Sequence, residues 1–417
     1  MLEDIYYNAC AELQVPINAY IVHVLKDARE NTRDTMIYLT GNDRLKEVQK
    51  LNDNDMLAVS KILLNNQSVK GLDMRYNDIT DQGARHLAGL LQENVAVQSL
   101  DLMCNNIEAE GAEHVAKSLH LNKTLMSLRL TGNKIGDKGA MHFASMLQIN
   151  TKLEELDFSD CDLGTQSLIA FSIVLNSNKH IRSINLSRPL LYSHQEEPTI
   201  HIARMLVVNQ TLCELHLGKH EMTDTGVERL CEALQVNKSL RYLDLRCNKI
   251  TRDGAKFLAE VLKQGSPLEI LDLSANRIED DGAMHLSEAI LLPNCKLKAL
   301  SIPCNNIGTL GLVAFTKAMK INKSLTHIYI WGNKLEEPVC VAFTKLMRSG
   351  RLLELHTDVS PYMVDGHVCL AEVFHGLRRH FYWTPSYGED GEYASNSALA
   401  LSDTSDDFLP HDIFGHS

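Results

Sequence analysis

The sequence predicts an α/β solenoid bent into a horseshoe, with parallel strands lining the concave face and helices forming the convex one. Two observations lead there. A pattern of spaced leucines closed by an asparagine recurs at a nearly constant interval along most of the 417 residues. Within each copy the apolar period also changes, from two residues at the start to the helical spacing at the end.

The pattern L-x-x-L-x-L-x-x-N-x-L/I begins at Val69, Val97, Leu125, Leu153, Ile181, Leu212, Leu240, Leu268, Leu297 and Leu325. Successive starts lie 28 or 29 residues apart, except for one step of 31 between Ile181 and Leu212. The copy LRYLDLRCNKITRDGAKFLAEVLKQ (240–264) explains the unit. Leu240, Leu243 and Leu245 point inward, and Asp244 lies on the opposite face of a strand. Asn248 stands where the chain turns, and its amide can satisfy backbone groups left unpaired there. Ala255, Leu258, Ala259 and Leu262 then form one helical stripe. A single unit cannot bury that core, so neighbours must stack.

The ends need closure. Residues 1–35 form an N-terminal helical cap, with Pro16 breaking or starting a helix and Ile17, Ile21, Val24 and Leu25 facing inward. Residues 36–351 hold the repeats, opened by a degenerate copy with MIYL as strand and DMLAVSKILLNN as helix. Residues 352–383 form a degenerate last repeat and cap, in which HVCLAEVFHGLRRHFYW is expected to supply a last helix. Residues 384–417 contain seven acidic residues and no Lys or Arg, the composition of a disordered tail. In mid-chain, Cys161, Pro189 and His220 replace the turn asparagine in three successive copies. Cys can stand in as a weak donor and Pro cannot. That stretch is either simple loop drift or a change of curvature with a docking bulge between Pro189 and Pro198.

The motif LxxLxLxxNxIxxxGAxxLAxxL at this spacing resembles the ribonuclease-inhibitor type of leucine-rich repeat, over residues 36 to 380. The resemblance implies a scaffold for protein–protein contacts made on the concave face and its rim. It also opens an alternative, since Ran GTPase-activating proteins share the repeat type. A regulator of a small GTPase would need a polar rim contact from an early repeat, for which Arg75 or Asn77 is the candidate. A structural part of a large assembly such as a ciliary axoneme is a third reading.

Other chemistries have little support. No phosphate-cradling, nucleophile-elbow or HExxH motif occurs, so no catalytic residue, cofactor or small-molecule substrate is assigned. His367, Cys369, His375 and His380 match no standard zinc spacing. Cys104, Cys247 and Cys304 recur just before the turn asparagine and read as small half-buried residues. The ten cysteines lack CxxC pairs, and no signal peptide or spanning segment is recognisable, so a cytoplasmic and also nuclear location is expected. Sequons at Asn66, Asn122, Asn185, Asn209, Asn237 and Asn322 read mainly as a repeated turn and not as glycosylation sites. The net charge of -12 disfavours nucleic acid and favours a protein partner with a basic surface.

The binding candidates follow from register. Asp73, Asp101, Glu155, Asp157, Asp160, Glu214, Asp244, Asp272, Glu354 and Asp358 outnumber Arg75, Arg129, Arg188, Lys219 and Arg246 on the strand face and its flanks. Toward the C-terminal end, Tyr242, Asp244, Arg246, Asp272, His327, Tyr329 and Trp331 form the expected contact patch, with its aromatics on the solvent side. Ser402 and Ser405, flanked by acids in SDTSDD, are candidate phosphorylation sites.

Overall fold

A computed structural model describes residues 2–28, 35–43, 47–192 and 196–373. Two helices open the chain, α1 (Leu2–Leu13) and α2 (Ala19–Asp27), followed by β1 (Thr35–Tyr38) and α3 (Asp53–Leu63). Strand and helix then alternate: β2 (Val69–Asp73), α4 (Asp81–Glu93), β3 (Ser99–Asp101), α5 (Ala109–Leu119), β4 (Ser127–Arg129) and α6 (Gly136–Leu147). The series continues through β5 (Glu155–Asp157), α7 (Thr165–Leu175), β6 (Ser183–Asn185), α8 (Glu197–Val208), β7 (Glu214–His216) and α9 (Asp224–Leu234). It ends with β8 (Tyr242–Asp244), α10 (Arg252–Lys263), β9 (Ile270–Asp272), α11 (Glu279–Ile290), β10 (Ala299–Ser301), α12 (Thr309–Ile321), β11 (His327–Tyr329) and α13 (Glu337–Arg348). Strands β1 to β11 form one parallel sheet in chain order. Helices pack ~8–10 Å apart and strands ~4.8 Å, so the strand side is the concave one.

Leu240, Leu243 and Leu245 are buried between the two layers, in a core that runs from Tyr6 to Leu370. Burying each such leucine contributes about 1.5–3 kcal/mol. Polar ladders tie the repeats together. The turn asparagine of each copy donates Nδ2 to a carbonyl of the copy before: Asn105 to Met74 O at 2.9 Å, Asn133 to Leu102 O at 2.8 Å, Asn276 to Leu245 O at 2.9 Å. Cys161 fills a rung with its thiol, to Leu130 O at 3.1 Å, and His220 fills another through Nε2, to Leu186 O at 2.8 Å. Burial holds the His220 pKa down to about 4, so the ring is neutral and can donate through Nε2.

A second ladder runs through the helix-to-strand turns. Asn122, Asn150, Asn178, Asn209 and Asn237 each donate Nδ2 to a carbonyl at the helix end of the copy before, as Asn209 does to Leu175 O at 2.7 Å. Their Oδ1 atoms accept the N–H groups that open the next strand. The sequon asparagines Asn122, Asn209 and Asn237 are therefore buried and bonded on both sides of the amide. A third tie crosses the helix N-termini. Asp224 Oδ1 accepts Thr251 N at 2.8 Å and Gly254 N at 3.0 Å, capping the next helix. Any Cβ at residue 254 would stand 2.5 Å from that oxygen, which accounts for the glycine.

At the N-terminal end one expected inward residue differs. Ile21, Val24 and Leu25 are buried, but Ile17 is 50% exposed, because it lies between the helices beside Asn18, which caps α2. The C-terminal end differs more. Within the segment expected to be the last helix, His367–Glu372 is a strand (β13) that pairs antiparallel with Val359–Val364 (β12), while residues 374–383 lie outside the described residues. The physical reason is the Asp365–Gly366 turn. Both residues have positive φ, 48° and 84°, as a two-residue hairpin turn requires. Two side chains close the last repeats. Arg351 donates to Met319 O, Asn322 O and Leu325 O at 2.6–2.7 Å. Asp358 accepts Ile330 N at 2.8 Å and Trp331 N at 3.0 Å. Burial lifts the Asp358 pKa to about 6 against those two donors. The tail, with Ser402 and Ser405, lies outside the described residues.

Candidate interaction surface on the strand face

Each three-residue strand turns its first and third side chains away from the leucine core, so parallel pairing lines up two rows across the sheet. One row runs Ser99, Ser127, Glu155, Ser183, Glu214, Tyr242, Ile270, Ala299, His327. The other runs Asp101, Arg129, Asp157, Asn185, His216, Asp244, Asp272, Ser301, Tyr329 over the same strands.

The repeated aspartates have a structural duty that register alone did not reveal. Asp101, Asp157, Asp244 and Asp272 each use Oδ1 to accept the N–H two residues on, at 2.9–3.0 Å, holding the turn that leaves the strand. The second oxygens of Asp101 and Asp157 meet neighbours. Arg129 Nη1 lies 2.7 Å from Asp101, and its Nε lies 3.8 Å from Asp157. Arg75 lies 2.8 Å from Asp73, and Asn185 donates to Asp157 at 3.2 Å. Burial pushes the Asp101 carboxyl up to about 6, with Arg129 working against it and Asp73 adding to it. His216 sits between Glu214 and Asp244, with Nδ1 3.0 Å from Asp244. Burial opposes its charge, but the two carboxylates win and raise its pKa to about 10. The same ion pair, with Arg246 at 3.2 Å, holds Asp244 well below the usual carboxylate range despite its burial.

Between β1 and β7 the strand face forms a groove of about 170 Å³. Its lining carries Asp73, Asp101, Glu155, Asp157 and Glu214 against Arg129 and His216. This N-terminal half was not singled out by sequence, although its acids were counted.

The C-terminal patch is arranged differently from its expectation. Tyr242 is 0% and Tyr329 4% exposed; with Ile270 and Ala299 they form a second apolar cluster on this face. Side chains on strands ~4.8 Å apart cover one another, and the ring of His216 stands edge-on to Tyr242 at 4.8 Å. Asp244 and Asp272 are fully buried and Arg246 nearly so. His327 and Trp331 keep partial exposure, and His327 stacks on His356 with ring centroids 3.7 Å apart. The expected open aromatic surface is thus reduced to His327 and Trp331.

Other candidates fall elsewhere. Asn77 is a buried ladder rung, donating to Leu39 O at 2.7 Å. Cys104 is half-buried as expected, whereas Cys247 and Cys304 are exposed, although all three occupy left-handed turn positions with φ of 53–56°. His367 pairs with Glu337 at 2.8 Å, while His375 and His380 lie outside the described residues. Among the described residues, no cluster of three or more His, Cys, Asp or Glu is arranged to hold a metal ion. Likewise, no described helix is long and apolar enough to cross a membrane. In the Pro189 segment, Arg188 takes φ of 60° and Pro198 falls in the first turn of α8, while residues 193–195 lie outside the described residues.

With the ladders and the continuous sheet in view, the chain belongs to the leucine-rich repeat family. The family pattern "Leucine Rich repeat" matches residues 65–88, 94–116, 121–144, 150–172, 208–231, 236–259, 266–287 and 294–315. Over its length the chain is similar to human leucine-rich repeat-containing protein 34, with 57% identity over 405 residues, covering 96% of this chain and 87% of the human one. The mouse protein of the same name is 52% identical over 405 residues, covering 96% and 98% of the two chains. A solved structure of the yeast Rad7 and Elc1 complex matches with 18% identity and a TM-score of 0.44, over 80% of this chain and 88% of that one.

Proposed function

We propose that the chain is a non-catalytic scaffold that holds a basic or mixed segment of a partner protein against its strand face. The observation that carries this is the groove between β1 and β7, where carboxylates outnumber bases. Such a wall attracts a cationic segment and orients it. The aspartates are already anchored by backbone N–H groups, so little side-chain order is lost on binding. Toward the C-terminal end, His327 and Trp331 extend the contact, supported from below by Tyr242, Asp244, Arg246, Asp272 and Tyr329. The free thiols of all ten cysteines suit a reducing compartment, cytosol or nucleus.

The test is fluorescence anisotropy with a labelled dodecapeptide of alternating Lys and Ala. Glu155→Gln with Asp157→Asn is expected to weaken binding about tenfold at low salt, the effect of ~1.4 kcal/mol. The same loss should shrink as salt rises. Equal affinity of wild type and the double variant contradicts the proposal.

A further inference from the structure

A second surface lies on the edge of the solenoid where helices end and strands begin. Lysines recur along it. Lys123, Lys152, Lys238, Lys296 and Lys323 all fall in helix-to-strand turns, and among the described residues no carboxylate lies within the 4.0 Å ion-pair distance of any of them. On the strand face, by contrast, Arg129 and Arg246 are paired. Exposed aliphatics stand between these lysines. Leu121, Ile149, Val208, Val236 and Ile321 each occupy the position just before a ladder asparagine, so the repeat lines them up along this edge. Ile321 is 68% exposed.

The row becomes a concavity near the C-terminal end. The step from Leu268 to Leu297 is one residue longer than most, and the turn Leu291–Lys296 meets its neighbour Ile321–Ser324 through Ser324 Oγ, which donates to Cys295 O at 3.3 Å. Between them lies a groove of about 570 Å³, walled by Leu291, Pro293, Lys296, Ile321 and Lys323, with the Lys298–Glu269 ion pair (3.2 Å) at one side. Lysine in a last helical turn offsets the helix dipole, which accounts for Lys320. It accounts neither for Lys296, which lies in the turn proper, nor for the exposed aliphatics.

We propose that this groove and the adjoining edge bind an acidic protein segment carrying aliphatic side chains. The lysines match its carboxylates, and Leu291, Pro293 and Ile321 match its apolar residues. A nucleic acid backbone would meet the lysines but leave the aliphatics without a counterpart. This surface is separate from the strand face and takes the opposite charge.

Fluorescence anisotropy with a labelled dodecapeptide of alternating Glu and Leu tests it on the full chain. Lys296→Ala with Lys323→Ala is expected to weaken binding about tenfold, and Ile321→Ser alone several-fold, with thermal stability unchanged for both because all three side chains are exposed. Glu155→Gln with Asp157→Asn should leave this affinity intact, which separates the outcome from the strand-face proposal. An all-Glu peptide should bind more weakly than the Glu–Leu probe. No binding of the probe, or equal binding by these edge variants, overturns the proposal. So does a preference for single-stranded DNA or phosphatidylserine vesicles over the peptide.

Discussion

Replacing Asn133 by Ala removes one rung of the inner ladder, and the structure sets the cost. Asn133 is fully buried. Its Nδ2 donates to Leu102 O and to Leu130 O, both at 2.8 Å, and its Oδ1 accepts Ile107 N at 3.1 Å. Alanine leaves three backbone groups without that partner in a place water does not reach. At about 1 kcal/mol for each bond, the loss is about 3 kcal/mol. Because a solenoid is coupled chiefly through nearest neighbours, the damage should be local. Hydrogen exchange followed by mass spectrometry reads it directly. The segment 102–108 should exchange roughly a hundredfold faster than in wild type, if the rung limits local opening. Asn294→Ala is the matched control. That side chain is exposed in the longer turn and belongs to neither ladder, so the change should stay within about 0.5 kcal/mol. If Asn133→Ala exchanges like wild type, the ladder does not hold the repeats and the reasoning fails.

Further outcomes follow from the same contacts. Gly254→Ala sets a methyl 2.5 Å from Asp224 Oδ1 and should displace that cap, costing about 1–2 kcal/mol of urea stability; an unchanged urea midpoint would refute the clash. Arg351→Ala frees the carbonyls of Met319, Asn322 and Leu325, so exchange should rise in the last two repeats and stay level before β8. Uniform acceleration along the chain would contradict a capping role. His216 has its folded pKa raised to about 10 from an ordinary ~6.5. A raised base stabilises fully below the unfolded value and loses that contribution as pH climbs through the folded one. Wild type should therefore lose more stability between about pH 6.5 and 10 than His216→Gln, whose neutral side chain does not titrate. Parallel curves for the two would refute the Glu214–His216–Asp244 assignment.

Much of the architecture was legible because the repeat is a packing necessity. Leucines at period two followed by a helical stripe admit one way of burying both, and the strands and helices fall where that pattern places them. The turn asparagine was legible for the same reason, and Cys161 was recognised as its substitute. Contacts between repeats were less visible. Asn209 and Asn237 were read as a repeated turn, but the bonds they make between copies were not visible in that recurrence. The Asp365–Gly366 pair was the signal for the closing hairpin, and the helical reading of HVCLAE passed over it. On the strand face, register gave the correct side for Tyr242 and Tyr329 but not their burial. That depends on what neighbouring strands place beside them, here His216, Ile270 and Ala299, and a linear pattern does not rank such contacts. The aspartate row was read only as charge on the strand face, because its bonds to backbone N–H groups appear only once the turn geometry is known.

Photo-crosslinking tests the central claim most directly. A Lys–Ala dodecapeptide carrying a benzophenone at its centre is bound to the full chain, irradiated and mapped by mass spectrometry. The account expects adducts on strand-face residues between Asp73 and His216, lost on adding Glu155→Gln with Asp157→Asn. Adducts confined to the outer helices α4 to α9, or to the lysine edge around Lys296, would contradict it.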